Sequence, residues 1–289
     1  MKAKLLIECN CFLGEGPVWD ERSGTLWWTD IDGKQLHRYH LASGLHEHFP
    51  VPEKVGAFAL REKGGIIAAA AGGWALCNED GSDWRHIADP EPDHRNHRFN
   101  DGKCDASGRF YAGTYALDEQ PRASLYVMQP DLSWERLADG VICSNGLAWS
   151  PDNRTLYYID SPRKSVDQFQ LDPATGRISD RQTIITLDEP DAVPDGMTAD
   201  EEGMLWVAEW GGWKVSRWNP HTGQRLMTIE VPAKHVTSCA FGGDGMDELF
   251  ITTASAGLTE EERRHQPLAG SVFYIKVGVR GRPSYRFAG

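Results

Sequence analysis

One phrase recurs six times along this chain, and it limits the possible folds more than any other feature. An anchor residue, an apolar strand, a polar turn and a second apolar or aromatic strand follow one another from Glu15, Gly56, Asn100, Asn145, Asp195 and Ser238. The anchors are separated by 41, 44, 45, 50 and 43 residues. The second strands read GTLWWTDI, GGIIAAAAG, GRFYAGTYA, RTLYYIDS, GMLWVAEWG and DELFITTAS. Several units continue with further segments, such as QLHRYHLASG, SLYVMQPD and SVDQFQLDPATGRI, in which apolar and polar residues alternate. Period two is the pattern of an antiparallel strand with one buried face. Turns such as PDN, DPATG and NPHTG place Pro, Asp, Asn and Gly where hairpins need them.

Repeats of about 40 to 50 residues with four strands each have the period of a propeller blade. Six such units predict an all-β fold, a six-bladed β-propeller of four-stranded antiparallel blades. They fill residues 1–289 as one domain. The segment GSVFYIKVGV is expected to pair with the N-terminal LLIECNC and close the ring, which hides the sheet edges. Only LTEEERRHQP reads as helical, for one or two turns.

If every anchor opens the innermost strand at the same end, then Glu15, Asn100, Asn145 and Asp195 ring one mouth of the central channel. Two carboxylates and two amides are oxygen donors of the kind hard divalent cations favour. A single Asp-Gly or Asn-Gly pair is ordinarily a turn. Asn145 and Asp195 differ because each begins a strand instead of joining two. Asp32-Gly33, Asp80-Gly81, Asp139-Gly140 and Asp244-Gly245 are read as turns between strands.

The net charge of −12 argues against a nucleic-acid or anionic-membrane partner, since phosphate binding wants a basic face. No apolar run reaches the roughly 18 residues a membrane helix needs. None of the six cysteines forms a Cys-x-x-Cys pair, and Cys9-Asn10-Cys11 reads as part of an alternating strand. They are expected to be reduced, in a cytoplasmic protein that is a monomer or a weak homo-oligomer. His46-Glu47-His48 has metal-compatible residues but falls on a blade edge.

Six phrases carry a resemblance: LGEGPVWD (13–20), RFNDGKCDASGRFYAGT (98–114), SNGLAWSPDNRTLYYIDS (144–161), PDGMTADEEGMLWVAEWGG (194–212), TSCAFGG (237–243) and PLAGSVF (267–273). In order and spacing, over essentially the full chain, the sequence resembles the regucalcin (senescence marker protein) and gluconolactonase family of sugar lactonases. The resemblance implies a six-bladed propeller with one divalent metal ion in its tunnel, Ca²⁺, Zn²⁺, Mg²⁺ or Mn²⁺, and hydrolysis of an aldonolactone. It implies metal ligands Glu15, Asn145 and Asp195, with Arg98 and Asn100 holding substrate. Asp118 falls where some members carry a glutamate that contacts substrate hydroxyls, and the adjacent Glu119 is a second candidate for that role. Tyr115 stands where relatives often have Met.

A lactone needs its carbonyl polarised and attacked by water, chemistry that a divalent cation with open positions supports. Asp195 is the expected general base, and a metal hydroxide formed without its help is the alternative. Trp210 and Trp213 either wall the sugar face or pack between blades. The competing reading is a calcium-binding or regulatory propeller without lactonase turnover. A third reading keeps the fold and changes the substrate to organophosphates or aromatic esters. No Gly-x-Ser-x-Gly elbow or phosphate loop points elsewhere.

Overall fold

All six anchors lie on strands of one kind. A computed structural model describes residues 1–289, and its innermost strands are Gly14–Asp20, Val55–Leu60, His97–Cys104, Ser144–Trp149, Val193–Ala199 and His235–Gly242. In blades 1 to 4 each inner strand is followed, in chain order, by three antiparallel partners. Blade 5 is built the same way from Val193–Ala199 out to Gln224–Glu230. Blade 6 takes its fourth strand from the other end of the chain: Lys4–Ile7 pairs with Val272–Lys276. The ring closes as the sequence predicts. A single bridge, Trp210 to His235, joins blades 5 and 6 into one continuous sheet.

The core sits between blades. Trp28, Trp206, Phe241, Phe250 and Phe273 form one cluster across the ring seam, and Tyr111, Trp149 and Tyr158 fill the space between blades 3 and 4. Burying a large apolar side chain is worth roughly 1.5–3 kcal/mol, so these aromatic layers dominate the packing energy. No helix is long and apolar enough to cross a membrane. The segment read as helical forms one short helix, Glu260–His265, capped by Thr259.

Two features fix the anchors in place. Each inner strand carries a register shift at or beside its anchor, for example between Glu15 and Val18, Asn145 and Leu147, or Pro194 and Met197. The same shift occurs at Val55/Ala57, Phe99/Gly102 and Val236/Ser238. An extra residue kinks the strand and re-aims its side chains. In blades 1 and 4 an aspartate ends the second strand and accepts the backbone N–H groups that precede the anchor. Asp30 takes Phe12 N and Leu13 N at 2.9 Å, and Asp160 takes Cys143 N at 3.0 Å.

Two local readings are corrected. Asp139-Gly140 does not join two strands; it lies inside the edge strand Trp134–Val141. Gly140 has φ 66° where the pairing slips, a bulge that needs glycine. Cys9-Asn10-Cys11 is not strand, which ends at Ile7. Asn10 turns the chain with φ 52°.

Candidate functional site

Glu15, Asn145 and Asp195 are all buried, at 6%, 4% and 5% exposure. Asn145 and Asp195 stand on neighbouring inner strands and are tied through Ser161. Its hydroxyl accepts from Asn145 Nδ2 at 2.9 Å and donates to Pro194 O at 2.6 Å. Gly146 permits this closeness, since a Cβ there would sit 2.7 Å from Asp195 O. With Nδ2 committed, Asn145 Oδ1 is buried and has no hydrogen-bond partner. Glu15 accepts its own neighbour's N–H, Gly16, at 2.8 Å.

The electrostatics report the same gathering. Burial, then the nearby Asp101 carboxylate, lifts Glu15 to about 8. Burial, then Glu15 and Asp101, raises Asp195 well above the ordinary carboxylate range. Arg98 and Lys103 pull these carboxylates down without overcoming burial and mutual repulsion, and a divalent cation would supply the further countercharge. No three His, Cys, Asp or Glu side chains are spaced to hold an ion by themselves. A cation at this mouth therefore has to draw on the Asn145 amide oxygen, whose unpaired state fits that use. Oxygen ligands of this kind suit Ca²⁺, Mg²⁺ or Mn²⁺, and Zn²⁺ accepts the carboxylates.

Arg98 and Asn100 sit beside this group as a pre-formed pair. Arg98 Nη1 donates to Asn100 Oδ1 at 2.7 Å and to Phe99 O at 2.9 Å, while Asn100 Nδ2 donates across to Ser144 O at 2.8 Å. The guanidinium stacks over Tyr115, 5.5 Å from the ring centroid. Arg98 is buried with no salt bridge of its own, and burial lowers its pKa. It is a fork of donors held in place and free to meet an oxygen-rich ligand.

Asp118 and Glu119 are placed differently. Both lie on the exposed loop after the strand Phe110–Ala116. Asp118 is engaged within that loop, 3.5 Å from Arg122 and accepting Gln120 N at 3.2 Å. Glu119 has φ 57°. Trp210 lies flat on His235, 4.0 Å between centroids, and so packs between blades 5 and 6, whereas Trp213 is 43% exposed.

The structure adds two residues that sequence reading passed over. Asp101 is buried and acts electrostatically on both Glu15 and Asp195. Lys103 reaches across the channel from blade 3 to donate to Met197 O on blade 5 at 2.7 Å. Burial lowers its pKa, against the pull of Asp101. The signal lay in RFNDGK itself: with the bulge placed at Asn100-Asp101, residues 101 and 103 share one face of the strand.

Comparison with known proteins shows the family and the fold. The family model described as the SMP-30/gluconolactonase/LRE-like region matches residues 13–255. Rabbit (Oryctolagus cuniculus) regucalcin is 40% identical, covering 99% of this chain and all of its own. A Bacillus subtilis protein named as the sugar lactone lactonase YvrE is 39% identical over 100% of this chain and 99% of its own. Among solved structures, a regucalcin from Agrobacterium tumefaciens, described as a calcium-binding protein, superposes with a TM-score of 0.94 at 29% identity. That match covers 99% of this chain and 97% of the other.

Proposed function

The chain belongs to the SMP-30/gluconolactonase/LRE-like family, and on that premise we propose that it hydrolyses an aldonolactone to the open sugar acid. The substrate is a 1,4- or 1,5-lactone such as glucono-, arabinono-, galactono- or xylono-lactone, consumed in carbohydrate catabolism. The reaction depends on one divalent cation, held by Glu15, Asn145 and Asp195. The observation that carries this reading is the buried, unpartnered Asn145 Oδ1 on the strand next to that of Asp195.

When bound, the cation supplies Lewis acidity toward the ester carbonyl and makes water more acidic. The protein's own residues do the rest. Arg98 donates to the lactone oxygens and fixes the ring in the mouth, its guanidinium steadied by Asn100 and Tyr115. Asp195 takes the proton from the attacking water at its carboxylate and returns it to the ring oxygen as the acyl C–O bond breaks. Burial beside Glu15 and Asp101 raises its proton affinity, which offsets the lowering that a bound cation brings. The Ser161 hydroxyl keeps the Asn145 amide turned with its oxygen toward the site. With all six cysteines free, the reading includes a reducing, cytoplasmic setting.

The test is proton release from a panel of aldonolactones by chelator-stripped protein, with and without added Ca²⁺, Mg²⁺, Mn²⁺ or Zn²⁺. Ion-dependent hydrolysis is expected, and the fastest lactone identifies the sugar. Tight ion binding without turnover on any lactone would replace this reading with the calcium-binding, regulatory one.

A further inference from the structure

Away from the channel mouth, the fold brings together two sequence features that the lactonase reading leaves unused. Cys9-x-Cys11 belongs to the N-terminal seam, and His46-x-His48 lies on the outermost strand of blade 1, Leu45–Pro50. They meet through His37 on the strand between. Cys11 Sγ is 3.6 Å from Cys9 Sγ and 3.8 Å from His37 Nε2, and His37 Nδ1 is 3.0 Å from His46 Nε2. Trp28 Nε1 donates to Cys11 Sγ at 3.4 Å and its ring stacks on His37. The cluster is not spaced for a metal ion.

We propose that Cys9 and Cys11 form a peroxide-oxidisable dithiol that closes a disulfide across Asn10 at the ring seam. The left-handed turn at Asn10, φ 52°, brings both thiols together, where a continued strand would hold them on one face about 6.6 Å apart. Closing from 3.6 Å to the roughly 2.05 Å of a disulfide is a small side-chain movement. Access differs between the two: Cys9 is half-buried, and Cys11 is 1% exposed. Peroxide therefore reaches Cys9 first, and Cys11 resolves. The bond that Cys11 makes to Cys9 also holds the Cys9 thiol below its ordinary pKa, favouring the nucleophilic thiolate.

The steps balance. The Cys9 thiolate attacks hydrogen peroxide, the O–O bond breaks, and Cys9 sulfenic acid and hydroxide result. The Cys11 sulfur then attacks the sulfenic sulfur, the S–O bond breaks, and water leaves as the S–S bond forms. The Cys11 proton passes to His37 Nε2 as the sulfur attacks, and from there to the departing hydroxide, which leaves as that water. An imidazole that accepts there carries its own proton on Nδ1, facing His46 Nε2. Peroxide is reduced and the two thiols are oxidised. The dithiol sits where the chain passes from blade 6 into blade 1: Cys11 N donates to Gly270 O, and Ser255 Oγ donates to Cys11 O. Oxidation therefore staples the closing segment of the ring, ahead of Glu15.

The experiment treats the full-length reduced protein with a small excess of hydrogen peroxide and follows intact mass, free thiols and peptide maps. Loss of two thiols and about 2 Da, mapped to Cys9 and Cys11 and reversed by dithiothreitol, is expected. Cys11→Ser should instead stop at a Cys9 sulfenic acid, about 16 Da heavier and trapped by dimedone. Cys9→Ser should leave this segment unmodified at the same dose, and His37→Gln should slow disulfide closure about tenfold while sulfenic acid accumulates. Thiol loss spread evenly over all six cysteines, or Cys9 advancing to sulfinic acid with Cys11 still reduced, would overturn the proposal. Both readouts use unmutated protein, so they decide the matter even where a variant at buried Cys11 fails to fold.

Discussion

In blades 1, 3, 4 and 5 the anchor of the inner strand is Glu15, Asn100, Asn145 or Asp195, whereas in blades 2 and 6 it is Gly56 or Ser238. All six strands share the register shift that kinks the strand at the anchor. What differs is the side chain. A Cβ on Gly56 would lie 2.2 Å from Phe99 O, and one on Gly196 would lie 2.1 Å from Ser238 Oγ. Gly56 is thus small because the blade 3 strand comes in close, and on blade 5 Gly196 leaves room for the blade 6 anchor, Ser238. The kink belongs to the fold, and the oxygen donors are what the proposed chemistry draws on. The spacer blades set how near the donors can approach one another.

The largest separation of these two roles is expected from Asp195→Asn. Turnover on the preferred lactone should fall about 10²–10⁴-fold, since the proposed general base is gone. Stability of the metal-free protein should hold or rise, because one of three mutually repelling carboxylates is neutralised. Thermal melting alongside initial rates checks both halves. A variant that keeps its turnover would remove Asp195 from the chemistry.

Gly56→Val is the converse experiment. It touches no proposed ligand, yet the backbone at Phe99 must move, at a cost of roughly 3 kcal/mol. A lowered urea midpoint, with KM raised because Asn100 and Arg98 shift with Phe99, is expected. An unchanged midpoint would mean that blade 2 does not set the spacing of the site.

The pH dependence of stability sharpens the same contrast, because the anchors Glu15 and Asp195 titrate while Gly56 and Ser238 do not. Glu15 moves from an ordinary 4.5 to about 8 in the folded, metal-free protein. Over that interval the folded chain holds a proton that the unfolded chain has lost. Stability is therefore fully present below the unfolded value and declines as pH rises toward 8. Asp195 acts in the same direction. Saturating Ca²⁺ should abolish or reverse the slope, which melting curves between pH 5 and about 9 would display.

Much of this was legible in the sequence, for a physical reason. A blade is a local unit of about 40 to 50 residues with period-two strands, so its pattern survives in a linear reading. Glu15, Asn100, Asn145 and Asp195 are legible as one set because each takes the same place in that unit. Asp101 and Lys103 are not singled out in the sequence because only the bulge beside Asn100 sets which face of the strand they share. Asp139-Gly140 failed for the same reason. Bulges leave no composition signature, so every misreading of an Asp-Gly pair traces to one. The meeting of Cys11 with His37 was invisible because it depends on how the closing segment turns at Asn10, not on any repeat.

Lys103 gives a smaller effect with an informative sign. Its ammonium adds positive charge to the channel near Glu15 and Asp101. Lys103→Met should therefore tighten divalent-cation binding about tenfold by calorimetry. Weaker binding would mean instead that its bond to Met197 O holds the Asp195 strand in place.

The least effect is expected at the rim, where Asp118 and Glu119 stand in solvent and not in the ring. Asp118 already spends its carboxylate on Arg122 and on Gln120 N. An exposed carboxylate with a loop partner gains little by trading it for a sugar hydroxyl, since each such bond nets about 1 kcal/mol at most. Asp118→Ala should thus change KM by about threefold or less and leave kcat alone. Glu119→Ala should raise KM somewhat more, because the Glu119 carboxylate makes no side-chain bond within its loop. Comparing the two on one lactone ranks the rim positions. A tenfold or greater rise in KM for Asp118→Ala would show that the loop folds inward on substrate. In that case the boundary between ring and rim, drawn from burial alone, is set in the wrong place.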